Sequence, residues 1–215
     1  MKYNENKITI VHPDPLFIIV DKPSGLLSVP GRGPDKQDSV VSRIRTIYPA
    51  CIAQPSVHRL DMATSGLMVM ALTSESQRNI SIQFQKRIVR KRYIALLDGI
   101  IEEDEGQISL PFRLDPENRP YQIYDPVYGK VGVTKWRKIG IEYGKTRIEF
   151  MPITGRTHQL RLHSAHELGL NCPIIGDSLY GSGTEGDKMM LHASYLMLLH
   201  PVTGNLLEFE SGPDF

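Results

Sequence analysis

Cysteine is scarce: Cys51 and Cys172 are the only two in 215 residues. They offer neither a metal-ligand spacing nor a disulfide framework. Both are read as small, idle or buried side chains. No apolar run approaches the about 18 residues of a spanning helix, so no membrane association is expected. The opening residues, Met1-Lys2-Tyr3-Asn4-Glu5-Asn6-Lys7, lack the apolar stretch of a signal peptide, and the cytoplasm is the expected compartment. The glycines of Gly31-Arg32-Gly33-Pro34 are not followed by Gly-Lys-Ser/Thr, which argues against a nucleotide phosphate loop. Ser24 and Ser65 lack the Gly-x-Ser-x-Gly setting of a hydrolase nucleophile. Of the seven histidines, His158, His163 and His166 share a segment, but without the spacing of a metal site. No metal is expected.

Excess charge is also lacking. The net charge is +1, which by itself does not point to a nucleic-acid partner. Its distribution is uneven. Lys86, Arg87, Arg90, Lys91 and Arg92 crowd one window, while Glu102, Glu103, Asp104 and Glu105 crowd another and cancel most of that charge in the sum. A basic strip with acid elsewhere is compatible with a polyanion, and equally with two solvated patches.

Hydrophobic periodicity organises the rest. Residues 8–12 and 16–20 read as short strands around Pro13-Asp14-Pro15. Residues 26–29 are strand-like. Residues 39–48 have helical spacing, capped by Asp38 or Ser39 and closed by Pro49. A second helix is expected over 74–87, with Ser74 and Gln77 as a capping box. Residues 90–97 turn strand-like. Short strands and turns are expected over 102–130, where prolines and glycines are frequent. Residues 131–141 and 146–153 read as a hairpin, 156–168 as a helix, and 190–199 and 206–210 as closing strands. The class is α+β with a largely antiparallel sheet. No linker or composition shift divides the chain, so a single domain, 1–215, is expected.

The centre of this pattern is Ser56-Val57-His58-Arg59-Leu60-Asp61-Met62-Ala63-Thr64-Ser65-Gly66. The strand that follows, 66–72, is apolar on both alternating faces and reads as buried on both sides. Asp61 stands in a polar turn at its mouth, where a reacting group can be held still. The plainer reading is a structural Asx turn. A second cluster runs from Pro152 through Gly155-Arg156-Thr157-His158-Gln159-Leu160-Arg161-Leu162-His163. If helical, it aligns His158, Arg161, Ala165 and Leu168 on one face. A buried Arg161 there needs an acid, for which Asp61 is a candidate. Alternatively Arg161 snorkels to solvent. Tyr93 can be a β-preferring strand residue.

His58-Arg59-Leu60-Asp61 with the following Ala63-Thr64-Ser65-Gly66 resembles the signature of the RluA family of pseudouridine synthases. Arg92-Tyr93 and Gln159-Leu160-Arg161 are similar to its second and third motifs. Val20 to Gly31, Ile175 to Gly181 and Leu191-His192-Ala193 look like further family blocks, so the resemblance covers nearly the whole chain. The Lys22-Pro23 block begins too early to leave room for the N-terminal S4 domain that many members carry.

The resemblance implies a pseudouridine-synthase domain with a central, mostly antiparallel bent sheet flanked by helices and loops. It implies an isomerase that breaks the uracil N1–C1′ bond, turns the base and rejoins it through C5, with neither ATP nor a redox cofactor. It makes Asp61 the catalytic carboxylate, Arg161 its ionic partner and Tyr93 the ring that stacks on the base. Arg59, with His58, would hold the RNA opened by base flipping. Lys86, Arg87, Arg90, Lys91 and Arg92 would contact phosphates. The similarity is greatest to short members acting on ribosomal RNA and tRNA hairpin loops, and a monomer is expected. A non-catalytic RNA-binding or ribosome-assembly factor on the same scaffold is the alternative. The joint presence of Asp61, Tyr93 and Arg161 argues against it.

Overall fold

The computed structural model describes residues 8–215. The Met1-to-Lys7 stretch read above as lacking a leader lies outside them. In chain order the strands are β1 (Thr9–Pro13), β2 (Phe17–Lys22), β3 (Ser65–Ala71), β4 (Arg90–Leu97), β5 (Glu105–Leu114), β6 (Gln122–Tyr124), β7 (Lys130–Glu142), β8 (Lys145–Pro152), β9 (Leu191–Leu199) and β10 (Leu206–Glu210). Helices α1 (Val40–Ile47) and α2 (Ser74–Gln85) lie between β2 and β4, and α3 (Gln159–Ala165) follows β8. No helix among the described residues is long and apolar enough to cross a membrane. The class is α+β, as expected.

The chain forms two compact units. One comprises the described residues up to Lys91 together with His192–Asp214, the other Arg92–Leu191 with Phe215. In the first, the strand order is β1-β2-β3-β9 with β10 on β9. All these pairings are antiparallel except β3 with β9, which is parallel and short: Ser65↔His192 and Gly66↔Ala193. In the second unit the order is β4-β8-β7-β5-β6, antiparallel throughout.

β3 is buried along its whole length, as its two apolar faces required. Leu67 and Val69 pack with Phe17 and Ile19 of β2, Ile80 of α2 and Leu198 of β9. Each such side chain contributes roughly 1.5–3 kcal/mol of apolar burial. Gly66 enters this strand at φ 110°, and a Cβ there would lie 2.4 Å from the Ala193 carbonyl oxygen. Only glycine lets β3 and β9 approach so closely.

Local chemistry sets the helix ends. Ser39 caps α1 in a reciprocal box with Ser42. For α2 the cap is Thr73, boxed with Ser76, one residue before the expected Ser74–Gln77 pair. Thr73 still has extended backbone and can turn its hydroxyl onto the Ser76 N–H, whereas Ser74 is already helical. α2 stops before Arg87, which sits at φ 57°. The third helix is shorter than the expected 156–168. His158 is left-handed at φ 55° and His166 is extended, so His158 and Leu168 lie outside it. The proposed four-residue face therefore does not exist. Residues 26–29 form no strand beyond one bridge, Leu27↔Ser39. Conversely, β5 is a ten-residue strand where only short ones were expected. Ile108, Leu110 and Phe112 alternate inward along it despite Pro111.

Candidate active site

In the first unit, the turn before β3 has nearly every backbone oxygen tied down. The Leu60 N–H donates to Ser28 Oγ (3.0 Å), and that hydroxyl donates to the Leu60 carbonyl (2.6 Å). The Asp61 carbonyl accepts the Thr64 N–H at 3.1 Å. The Met62 carbonyl accepts Lys22 Nζ at 3.0 Å and the Gly25 N–H at 2.9 Å. The Ala63 carbonyl accepts the Ser24 hydroxyl at 2.7 Å. Four consecutive carbonyls are thus held, three of them by the loop that follows β2. Asp61 itself is half-buried. A carboxylate carried on such a turn is fixed without its own side chain providing the anchor.

Lys22 is the centre of this support. It is fully buried. Its ammonium donates to the Pro23 (2.9 Å), Leu26 (2.7 Å) and Met62 carbonyls. Burial lowers its pKa from 10.5 to about 7, against the opposing charges of Asp61 and Asp21. The two nearby carboxylates and three carbonyl acceptors favour the ammonium, so it carries charge up to neutrality. Asp61 consequently faces a positive group within its own unit.

His58 is tied into the fold. Its ring stacks on Phe84 at 4.8 Å, and its Nε2 accepts the Val69 backbone N–H at 3.0 Å. An accepting Nε2 requires the neutral ring. Burial, and the charge of Lys91, push its pKa down to about 3. His58 is a neutral strut that ties the segment before Asp61 to β3. Arg59 is exposed. It stands on a groove of about 450 Å³ shared with Val29, Pro30, Gln54 and Val57.

The basic window divides. Lys86, Arg87 and Arg90 are exposed. Lys91 is half-buried, 5.8 Å from the Phe84 ring centre, and burial lowers its pKa. Lys91 and His58 thus meet around one phenyl ring, a contact that spacing did not reveal. Arg92, in the second unit, reaches Glu149 at 3.6 Å, and Glu149 also receives Arg137 at 3.2 Å.

In that second unit Tyr93 is buried on β4, paired in register with Phe150. Arg161 is buried on α3 and closes a two-pronged contact on Asp177, Nε to Oδ2 at 2.8 Å and Nη2 to Oδ1 at 2.5 Å. Asp177 also accepts the Leu179 and Tyr180 N–H groups. Burial works to raise its pKa, but the Arg161 guanidinium and those N–H groups hold it below the usual carboxylate range. Gln159 locks the start of α3. Its Nε2 donates to the Val133 carbonyl and Thr134 Oγ1, and its Oε1 accepts from Thr154 and the Arg156 N–H. His158 meets the Tyr180 hydroxyl at 2.9 Å. Within the unit, then, the acid on Arg161 is Asp177, which the sequence reading placed in a family block without a role. Lys22 and Ser28 were passed over in the same way. The available signal was a lysine just past the apolar run 16–20, in residues that read as a loop, and a serine within the strand-like segment 26–29.

A family model described as RNA pseudouridylate synthase matches residues 16–166. The dual-specificity RNA pseudouridine synthase RluA of Haemophilus influenzae is 41% identical over 222 residues, covering 100% of this chain and 99% of its own. The protein of the same name from Escherichia coli K12 is 41% identical over 212 residues, covering 97% and 94%. Among solved structures, human RNA pseudouridylate synthase domain containing 1 has a TM-score of 0.79 at 28% identity, covering 100% of this chain and 87% of that one. Human RNA pseudouridylate synthase domain containing 4, at 22% identity and a TM-score of 0.75, shares the fold.

Proposed function

The chain belongs to the RluA family of RNA pseudouridine synthases, and we propose that it isomerises uridine in hairpin loops of tRNA or ribosomal RNA, as a cytoplasmic monomer. The enzymes of this family are isomerases. The reaction cleaves the N1–C1′ bond, rotates uracil and forms C5–C1′; the C5 hydrogen leaves as a proton and N1 takes one up, so no atoms are gained or lost overall. Asp61 is the proposed catalytic carboxylate. It either attacks covalently, at C1′ or C6, or removes a sugar proton. Each route needs one ionised, immobile carboxylate. The observation that carries the reading is the held turn 60–64, whose backbone is tied through Ser24, Ser28 and the buried Lys22. Tyr93 and Arg161 are proposed as further catalytic residues from their motif positions, Tyr93 as the ring that stacks on the base. The exposed Arg59, Lys86, Arg87 and Arg90 are proposed to hold the RNA backbone. The match to relatives named for dual specificity supports more than one RNA substrate.

The test is tritium release from RNA labelled at uridine C5, with tRNA and ribosomal RNA prepared from a strain lacking this protein. Release is expected from at least one pool, and Asp61→Asn should abolish it while RNA binding survives. An Asp61→Asn protein with undiminished release would remove Asp61 from the mechanism. Intact binding with no release by the unaltered protein would favour the non-catalytic reading.

A further inference from the structure

The loop after β2 holds the Asp61 turn from one side only. Its downstream end, where the chain enters β3 at Ser65, is held by other groups. Ser65 Oγ lies 2.9 Å from Nδ1 of His192, the residue opposite it in β9. Both residues are buried. On its other edge His192 Nε2 lies 3.2 Å from both the carbonyl oxygen and the hydroxyl of Ser211. The Ser211 hydroxyl in turn donates to Asp21 Oδ2.

The direction of donation follows from the end of this chain. An ionised Asp21 only accepts, so the Ser211 hydroxyl gives its proton there and turns a lone pair to His192. The Ser211 carbonyl also only accepts. Nε2 therefore carries the hydrogen, Nδ1 is the acceptor, and the Ser65 hydroxyl donates to it. Asp21 is covalently next to Lys22, whose ammonium holds the Met62 carbonyl. The contacts form a closed circuit: Met62, Lys22, Asp21, Ser211, His192, Ser65, and back along the turn that carries Asp61. The β3–β9 ladder has only two parallel residue pairs at this point, so backbone bonding alone holds it weakly.

We propose that His192 is a positioning residue for Asp61, acting through Ser65, with Ser211 fixing its tautomer. The proposal rests on the reading of Asp61 as the catalytic carboxylate. A turn released at its downstream end still folds and still binds RNA, but presents its carboxylate less accurately.

The test measures kcat and KM by C5-tritium release from labelled bulk tRNA and ribosomal RNA, alongside the melting temperature of each variant. His192→Gln keeps a donor toward Ser211 and leaves Ser65 without an acceptor. It should lower kcat about tenfold with KM within about twofold of the unaltered protein. His192→Asn restores an acceptor near the Nδ1 position and should recover kcat to within about threefold. Ser65→Ala should reproduce the His192→Gln loss, and the double variant should fall no further. Should His192→Gln fail to fold, Ser65→Ala, which removes one hydroxyl, carries the test alone. Undiminished kcat in Ser65→Ala, equal losses with Asn and Gln, or a change confined to KM would each overturn the proposal. Asp61→Asn separates the premise: inert Asp61→Asn beside fully active Ser65→Ala refutes the positioning role alone, whereas active Asp61→Asn refutes the catalytic assignment itself.

Discussion

Lys22 shows how one residue can be both expensive to bury and hard to replace. Its ammonium satisfies three carbonyls in a site closed to solvent. Lys22→Met removes the desolvated charge and leaves the Pro23 and Leu26 oxygens without that donor, while the Met62 oxygen keeps the Gly25 N–H. Each unsatisfied buried acceptor costs roughly 1–3 kcal/mol, so a net loss of about 2 kcal/mol in urea unfolding at pH 7 is expected. The pH dependence has a definite sign. The folded pKa, about 7, is below the unfolded 10.5, so between those values the unfolded chain binds more protons. The stability that Lys22 allows therefore rises as pH increases from 7 toward 10.5, and falls back on acidification through 7. Lys22→Met should flatten that rise. His163 acts in the acid range. It is fully buried, neither ring nitrogen has a hydrogen-bond partner among the described residues, and burial, with the charge of Arg156, lowers its pKa from 6.5 to about 4. Between 6.5 and 4 only the unfolded chain takes up its proton. The stability it permits is complete above 6.5 and is lost on acidification at up to about 1.4 kcal/mol per pH unit. His163→Leu should leave stability at pH 7 nearly unchanged and reduce the loss between pH 6.5 and 4.5, measured by urea unfolding.

At the scale of elements, the strands were more legible than the helix ends. β3 announced itself by two apolar faces, and the β7–β8 hairpin by its alternation about Gly144. Both signals come from residues that touch the core directly. The start of α2 was misplaced by one residue because Thr73, Ser74 and Ser76 all offer a capping oxygen, and only backbone angles select among them. The length of α3 was misread because leucine and histidine periodicity continues past the positions where the backbone leaves the helical region, at His158 and after Ala165. Gly66 is legible only in the fold. Its sequence neighbours suggest nothing beyond a small residue, whereas its φ and the Ala193 backbone admit no Cβ. Gly66→Ala should therefore destabilise the protein by several times the about 1 kcal/mol that separates alanine from glycine in ordinary strained positions. Thermal unfolding would measure it. A melting temperature within a degree or two of the unaltered protein would show that β9 yields.

For the molecule as a whole, the motifs named Asp61, Tyr93 and Arg161, yet motif positions could not supply the groups around them. Lys22, Asp177 and His192 come from distant segments, and only tertiary pairing brings each to its site. Charge behaves similarly. A net charge of +1 hides a division that the fold makes explicit: Glu102, Glu103, Asp104 and Glu105 are all exposed, and so are Lys86, Arg87 and Arg90. Lys91 and Arg92 belong to internal contacts, with Phe84 and Glu149. Of the five basic residues in sequence, three are thus fully exposed, and these are the ones proposed to meet RNA. Each phosphate neutralised on a single strand contributes a slope of about −0.7 in log K against log salt concentration. Replacing Lys86, Arg87 and Arg90 together by glutamine should therefore make that slope shallower by about 2 and weaken binding across RNA sequences alike, with no change in melting temperature beyond about one degree. Replacing Lys91 alone should do the reverse, leaving the slope nearly intact while disturbing the His58–Phe84 stack and lowering stability. Filter binding across a salt series, run beside thermal unfolding, checks both. An equal change in slope from Lys91 and from any one of the three exposed residues would place Lys91 on the RNA rather than inside the protein.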